Sequence, residues 1–368
     1  MSTLRFVHAE HFRLGTPLNG LADSPGWLQR LATDSVRQAV RNVVETAVTR
    51  KAHFLLIAGR ITDTEEDQDA VVRWLDEQFE SLRVKGIPVV VTADGSHRTP
   101  GLERIADVVL QTNQVLAVEL SADQQVRLTA VSSGYSGDAE LIVAVGESRS
   151  HTQHRLTYHA RPAIRPEENR SRHSGDGHLS LSAGAVQAVS PAEQWEAGCV
   201  LVEADTKARE IQTTLVPTDV IRFATERVTL AGTVTPDDLI LEIVRASQVF
   251  DEQQPRTLAV DLVLRADVAA ESGQIEQLSE PALLAELRDR LHRGHKGVWP
   301  RSVSFSSDSS LLLAADQGAA VDEYFEVING PVSTSEVHGV PGLSVVLQGG
   351  DGISPPLVAG LVLLQRVA

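Results

Sequence analysis

The chain has 368 residues, a formal net charge of −16, 42% hydrophobic and 22% charged residues, and one cysteine. That length is more than one core usually serves, and the lone Cys199 excludes an intramolecular disulfide and a thiolate-rich metal site. The acidic total argues against gripping nucleic acid over the whole surface, because lysines and arginines must displace the counterions of phosphates.

Leu4 to Ala9 has bulky apolar residues at alternate positions and predicts a first strand. From Trp27 to Arg50 the apolar positions Leu28, Leu31, Ala32, Ala39, Val40, Val43 and Ala47 recur at helical spacing. Phe54 to Ala58 is a continuous apolar run ending at Gly59, as in a strand buried on both faces. Thr62 and Glu65 have the spacing of a capping box for a second helix with Val71, Val72, Leu75, Phe79 and Leu82 on its stripe. Gly86 and Pro88 punctuate the turn into the strand Ile87 to Val91. Strand, helix, strand, helix, strand with short links predicts a parallel sheet covered by helices.

From Val108 the pattern changes to strands without long helices: Val115 to Leu120, Val126 to Val131 and Leu141 to Val145. Residues 148–178, rich in histidine and arginine, read as a long irregular loop. Strands resume at His178 to Ala183, Val200 to Ala204 and Ile211 to Pro217. A parallel half followed by a strand-rich half predicts an α/β sandwich of two sheets with helices outside. A smaller domain follows Val228, with helices over Pro236 to Ala246 and Glu280 to Leu291, a strand over Leu258 to Arg265, and Val298 to Phe305 pairing back beside the first strand. A helix over Ala314 to Ile328 and Gly- and Pro-punctuated strands complete the tail. The N-terminus, MSTLRFVHAEHF, and the apolar run Leu357 to Leu364 are too short for a signal peptide or membrane span, so no membrane and a cytoplasmic location are expected.

In open α/β sheets, chemistry collects at loops leaving the carboxyl ends of the strands. Three such loops are HAEHFRLGTPLNGL (8–21), IAGRITD (57–63) and VVTADGSHRTP (90–100). Their order and spacing resemble the calcineurin-like metallophosphoesterases, above all the SbcD/YhaO branch of DNA repair exonucleases, with its HAADxHLGxPLxGL, IAGDxxD and GNHD patterns. LSLSAGAVQAVSPAEQWEAGCVLVEAD (179–205) and LVPTDVIRF (215–223) resemble the end of that branch's sandwich domain and its link to a cap. The resemblance spans residues 4–300. It implies an α/β/β/α sandwich over 1–228, an α+β cap domain over 229–305, and a C-terminal segment, 306–368, available for partner binding.

The ligand positions that the resemblance implies are mostly replaced. His11 and Arg13 stand where the family has Asp-x-His, Arg60 replaces the bridging Asp, and Ser96 and Arg98 replace the Asn and Asp of GNHD, leaving His97 as the match. Gly146 and Glu147 fall where the fourth-loop histidine belongs, and Tyr158-His159-Ala160-Arg161 stands in for the closing Gly-His-x-His. Two metals about 4 Å apart need a bridging carboxylate, and an arginine, always protonated, cannot ligate. Arg13 and Arg60 put fixed positive charge where two cations would sit, and one such charge costs a neighbouring cation several kcal/mol. No cofactor is therefore expected; Mn²⁺ is the alternative. Two uses of the arginines stay open: a guanidinium grip on phosphate, or a salt-bridge network with Glu10, Asp63 or Asp94.

Weaker signals surround these loops. His151, His154, His159, His173 and His178 cluster without the i, i+4 spacing of a zinc site. Basic islands occur there and at RDRLHRGHKGVWPR (288–301), where Arg293, Lys296 and Trp299, with Arg98, are candidates for contacting phosphate and stacking on bases; ordinary exposed loops are the alternative. Asp94, Ser96 and His97 lie too close on one loop for a nucleophilic triad, and Cys199 reads as a buried structural thiol.

These readings predict a catalytically inactive relative of the SbcD/YhaO exonucleases, working as an adaptor or DNA-end-binding subunit. By resemblance its partners are an SMC-like ATPase of the SbcC or YhaN kind, DNA and a second copy of itself. The alternative is an active metal-dependent nuclease with a remodelled site in which His11, His97, His159 and nearby carboxylates hold one metal.

Overall fold

A computed structural model describes residues 3–62, 68–93, 101–111, 113–121, 125–133, 135, 139–145, 156–160, 172–175, 178–230, 241, 257–266, 280–294 and 297–306. Residues 1–304 make one compact unit and 305–368 a second. Within the first, β1 (Thr3–Glu10), α1 (Gly26–Thr49), β2 (Phe54–Ala58), α2 (Gln68–Val84) and β3 (Val89–Ala93) alternate as their hydrophobic periods require. Then come β4 (Val108–Gln111), β5 (Gln114–Leu120), β6 (Val126–Ser132), β7 (Leu141–Val145), β8 (Leu156–Ala160), β9 (Arg172–Gly175) and β10 (His178–Leu181). The last elements are β11 (Gly198–Asp205), β12 (Glu210–Pro217), β13 (Ile221–Leu230), β14 (Thr257–Ala266), α3 (Glu280–Gly294) and β15 (Val298–Ser306).

Two six-stranded sheets form the sandwich, in the orders β12-β11-β1-β2-β3-β4 and β6-β5-β7-β8-β10-β9. In the first, β1 to β4 run parallel and β11 lies antiparallel to β1. Side chains alternate across a strand, so the central strands of this sheet feed two cores. Val7, Ala9, Leu55, Ile57, Val89 and Val91 pack against Val40, Val43, Leu75 and Phe79 of the two helices. The neighbours Leu4, Phe6, Phe54, Leu56 and Val90 face Leu141, Val143, Leu156, Tyr158 and Leu181 of the second sheet. Phe6 stacks on Phe54 at 4.6 Å and meets Tyr158 edge-on at 5.1 Å, geometry that adds about 0.5–1.5 kcal/mol per pair beyond burial.

The sequence expectation of an α/β two-sheet sandwich holds. On the outer face of the second sheet, Val115, Ala117, Ile142 and Ala144 cluster with Ala139, Val131 and Tyr135, and no described helix joins them. The expected irregular loop over 148–178 is corrected: it contains β8 and β9. The reason is packing, since Leu156, Tyr158 and Ala160 fill the inter-sheet core at 3%, 0% and 0% exposure. Thr62 bridges to Leu14 and the described helix starts at Gln68; Glu65, and with it the capping box, lies outside the described residues. The helices read over 236–246 and 314–328 also fall outside them, except for Leu241.

The third sheet has the order β13-β14-β15, with β13 and β14 parallel. The expected pairing of 298–305 beside the first strand is corrected: β15 lies next to β14, while β2 and β11 flank β1 on both sides. β13 was not anticipated, and the boundary after Val228 falls inside it. Trp299, Phe223 and Ile221 join Leu21 and Leu28 in one cluster, which docks this sheet on the start of α1.

Candidate functional site

The carboxyl end of β1 brings the first loop against three other segments. Pleating turns His8 and Glu10 towards the second sheet, on the face of Phe6, and both are 0% exposed. Tyr158 Oη lies 2.7 Å from His8 Nδ1, and His8 Nε2 lies 3.1 Å from Glu10 Oε1. Glu10 Oε2 accepts from Ser182 Oγ at 3.0 Å and from the Gly184 N–H at 3.2 Å. Burial pushes the Glu10 carboxyl up, but the hydrogen bond and charge of His8, with the Ala183 backbone and His11, hold it below its ordinary value. Burial, and then the Glu10 charge, push the Tyr158 phenol well above its ordinary value. A neutral phenol therefore faces Nδ1.

His11 and Arg13 both adopt left-handed backbone, with φ of 48° and 54°, unusual for residues with a Cβ. His11 is 3% exposed. Its ring lies over Gly59, where an added Cβ would stand 2.8 Å from Cε1. The Arg60 N–H donates to His11 Nδ1 at 3.2 Å, which places the ring proton on Nε2 and uses the other lone pair. Arg13 Nη1 straddles Glu193, 2.9 Å from Oε1 and 3.0 Å from Oε2, with side chains 11% and 4% exposed. Glu193 also accepts from the Val189 N–H at 3.2 Å. Arg13 thus pairs with Glu193, a residue absent from the sequence expectation, whose Asp63 and Asp94 lie outside the described residues.

The other sequence candidates do not gather here among the described residues. His159 sits on β8 one residue from Tyr158, so it faces the opposite side of the second sheet, where its ring lies 6.3 Å from that of His178. Trp299 is corrected as a stacking platform: it is 7% exposed and its face is covered by the Arg288 guanidinium, 4.8 Å from the ring centre. Arg288 is fixed in turn by the carbonyls of Pro300 and Arg301. Arg13, a candidate for gripping phosphate, bonds through Nη1 to the buried Glu193 carboxylate. Ser96, His97, Arg98 and Lys296 lie outside the described residues, as does the side chain of Arg293.

A two-metal centre does not fit the described residues. Glu10 is taken up by Ser182, Gly184 and His8, His11 Nδ1 by a backbone N–H, and a guanidinium stands at position 13. Among the described residues, no three of His, Cys, Asp and Glu converge as ligands. Sequence reasoning gave little weight to His8, Glu10, Tyr158, Ser182 and Glu193. One signal was available: Glu10 puts a charge where the HAAD pattern has alanine, at the buried end of a strand.

The fold is a layered α/β sandwich with loops gathered at the carboxyl ends of parallel strands, and a short stretch of the chain is similar in sequence to a metallophosphoesterase. Over 91 residues the chain is 31% identical to YhaO of Bacillus subtilis (strain 168), an uncharacterized metallophosphoesterase. The matched stretch is 25% of this chain and 22% of YhaO, so the chain spans about a fifth of that relative's length. No family model matches the chain. Among solved structures, TT1561 of Thermus thermophilus aligns over 58% of this chain and 99% of its own, at 8% identity and a TM-score of 0.29, too loose a superposition to bear on chemistry. No described helix is long and apolar enough to cross a membrane.

Proposed function

We propose that this chain is a catalytically inactive relative of the SbcD/YhaO exonucleases, serving as an adaptor subunit in the cytoplasm. Its partner in this reading is an SMC-like ATPase of the SbcC or YhaN kind, which it joins as a homodimer. The observation that carries the reading is the Arg13–Glu193 pair, which fills a position that the resemblance assigns to a metal ligand. A cation brought there would meet a guanidinium that cannot lose its proton and whose carboxylate partner it would have to take away. Stripping one member from a buried pair costs about 3–5 kcal/mol, so a dication starts at a disadvantage. The same pair opposes recognition of a DNA end through Arg13, since a phosphate would have to displace Glu193. The adaptor role is therefore favoured over end binding.

Isothermal titration of the protein with Mn²⁺, paired with digestion of linear duplex and single-stranded DNA, tests this reading. No stoichiometric Mn²⁺ binding and no release of nucleotides are expected. Stoichiometric binding with digestion that is lost in the His97→Ala variant would overturn it in favour of a remodelled nuclease.

A further inference from the structure

We infer that residues 10–13 form a side-chain clasp that joins the carboxyl ends of the two sheets directly, so that closure at this end of the sandwich needs no divalent cation. Four consecutive side chains each hold a different part of the fold. Glu10 holds Ser182 and Gly184, just after β10 of the second sheet. His11 lies on Gly59 and accepts from Arg60, just after β2. Phe12, 0% exposed, enters the helix-side core. Arg13 holds Glu193, which binds the Val189 N–H in turn. Backbone bonds flank the clasp on both sides: the His11 N–H donates to the Ala58 carbonyl and the Leu14 N–H to that of Ile61. Glu10 also bridges to Ala185, and Leu14 to Thr62.

The backbone supports the same conclusion. Left-handed conformations at His11 and Arg13 persist only where surrounding contacts over-determine them, and here the contacts that do so belong to those two side chains. Gly59 belongs to the same device, since any side chain there would displace the His11 ring. The segment held by Arg13 extends the link. Glu196, three residues beyond Glu193, contacts Arg222 of β13, which Asp219 also holds at 2.6 Å. Gln187 accepts from the Val220 N–H at 2.7 Å and donates to the Ile221 carbonyl at 2.6 Å. The first loop is thereby tied, through residues 187–196, to the start of the third sheet.

The inference rests on the metal-free reading of the site but is tested apart from it. Thermal unfolding of Glu10→Gln, Glu193→Gln, Arg13→Met and the Arg13→Met/Glu193→Gln double variant is followed in EDTA. Each single variant is expected to lower Tm by about 4–6 °C, the scale for unpairing one member of a buried pair in a chain of this size. The double variant is expected to lose less than the sum of its singles. Variants that do not fold leave a second measurement on the wild type, amide exchange at Gly184 and Val189, whose N–H groups donate to Glu10 and Glu193. Exchange as slow as that of the central β1 amides is expected. Wild-type Tm in all the folded variants, or Gly184 and Val189 amides exchanging as fast as exposed loop amides, would overturn the clasp. A wild-type Tm raised by stoichiometric Mn²⁺ would instead overturn the metal-free reading on which it rests.

Discussion

Glu10 is fully buried, yet its carboxyl is held below the ordinary carboxylate value because the partners around it outweigh its desolvation. A carboxyl whose folded pKa lies below its unfolded value contributes stability that is complete above the unfolded value, about 4.3, and is lost as pH falls through the folded one. Glu10→Gln removes that contribution. The Tm gap between wild type and variant should therefore be widest at neutral pH and shrink as pH falls below the ordinary carboxylate value and through the lowered value of the folded Glu10 carboxyl. An unchanged gap down to about pH 3 would contradict this account of Glu10. Tyr158→Phe leaves His8 Nδ1 without its described partner inside the sandwich and should cost about 1–3 kcal/mol in chemical denaturation. Some of these residues were legible in the sequence. His11, Arg13 and Arg60 stood out because their chemistry contradicts a ligand pattern. Glu193 and Tyr158 did not, because a residue 180 positions from Arg13 becomes its partner only through the topology.

Elements whose hydrophobic period was clean matched the sequence closely, as β2 and β7 do over Phe54–Ala58 and Leu141–Val145. β8 failed because its alternation, Leu156, Tyr158 and Ala160, is short and flanked by histidines and arginines that read as loop. β4 and β13 are likewise short or polar in their described parts, and sheet neighbours rather than local propensity hold them. Backbone approach also lay beyond sequence reasoning. At Gly198, an added Cβ would stand 2.3 Å from the Val216 carbonyl oxygen of the neighbouring strand and 2.9 Å from the Pro217 Cα. Gly198→Ala must therefore force β11 and β12 apart. It should destabilise by at least about 2 kcal/mol in urea unfolding, beyond the usual gain from replacing a strand glycine. A neutral or stabilising result would mean that the two strands do not approach so closely. At the end of α1, Lys51 takes φ 52° while the Ala52 N–H reaches back to the Ala47 carbonyl, a capping arrangement that glycine usually serves. Lys51→Gly should consequently gain a few tenths of a kcal/mol to about 1 kcal/mol in the same assay.

At the scale of the whole molecule, the two sheets of the sandwich and the helices on one of them were foreseeable from the order of patterns. Their mutual register was not, because residues far apart in the chain set it. Among the described residues, the side chains of the first loop bind residues 182–193 and the backbone of Arg60. Light scattering on the purified protein should give about twice the 39.7 kDa chain mass if the proposed homodimer forms; a monomer at micromolar concentration would count against the adaptor arrangement.

The most direct test of the central claim is anomalous diffraction at the manganese edge from crystals grown with Mn²⁺. The account predicts no anomalous peak beside His11, Arg13 and Arg60, with the Arg13–Glu193 pair intact. Two peaks about 4 Å apart in that loop cluster, with Arg13 turned away from Glu193, would contradict it.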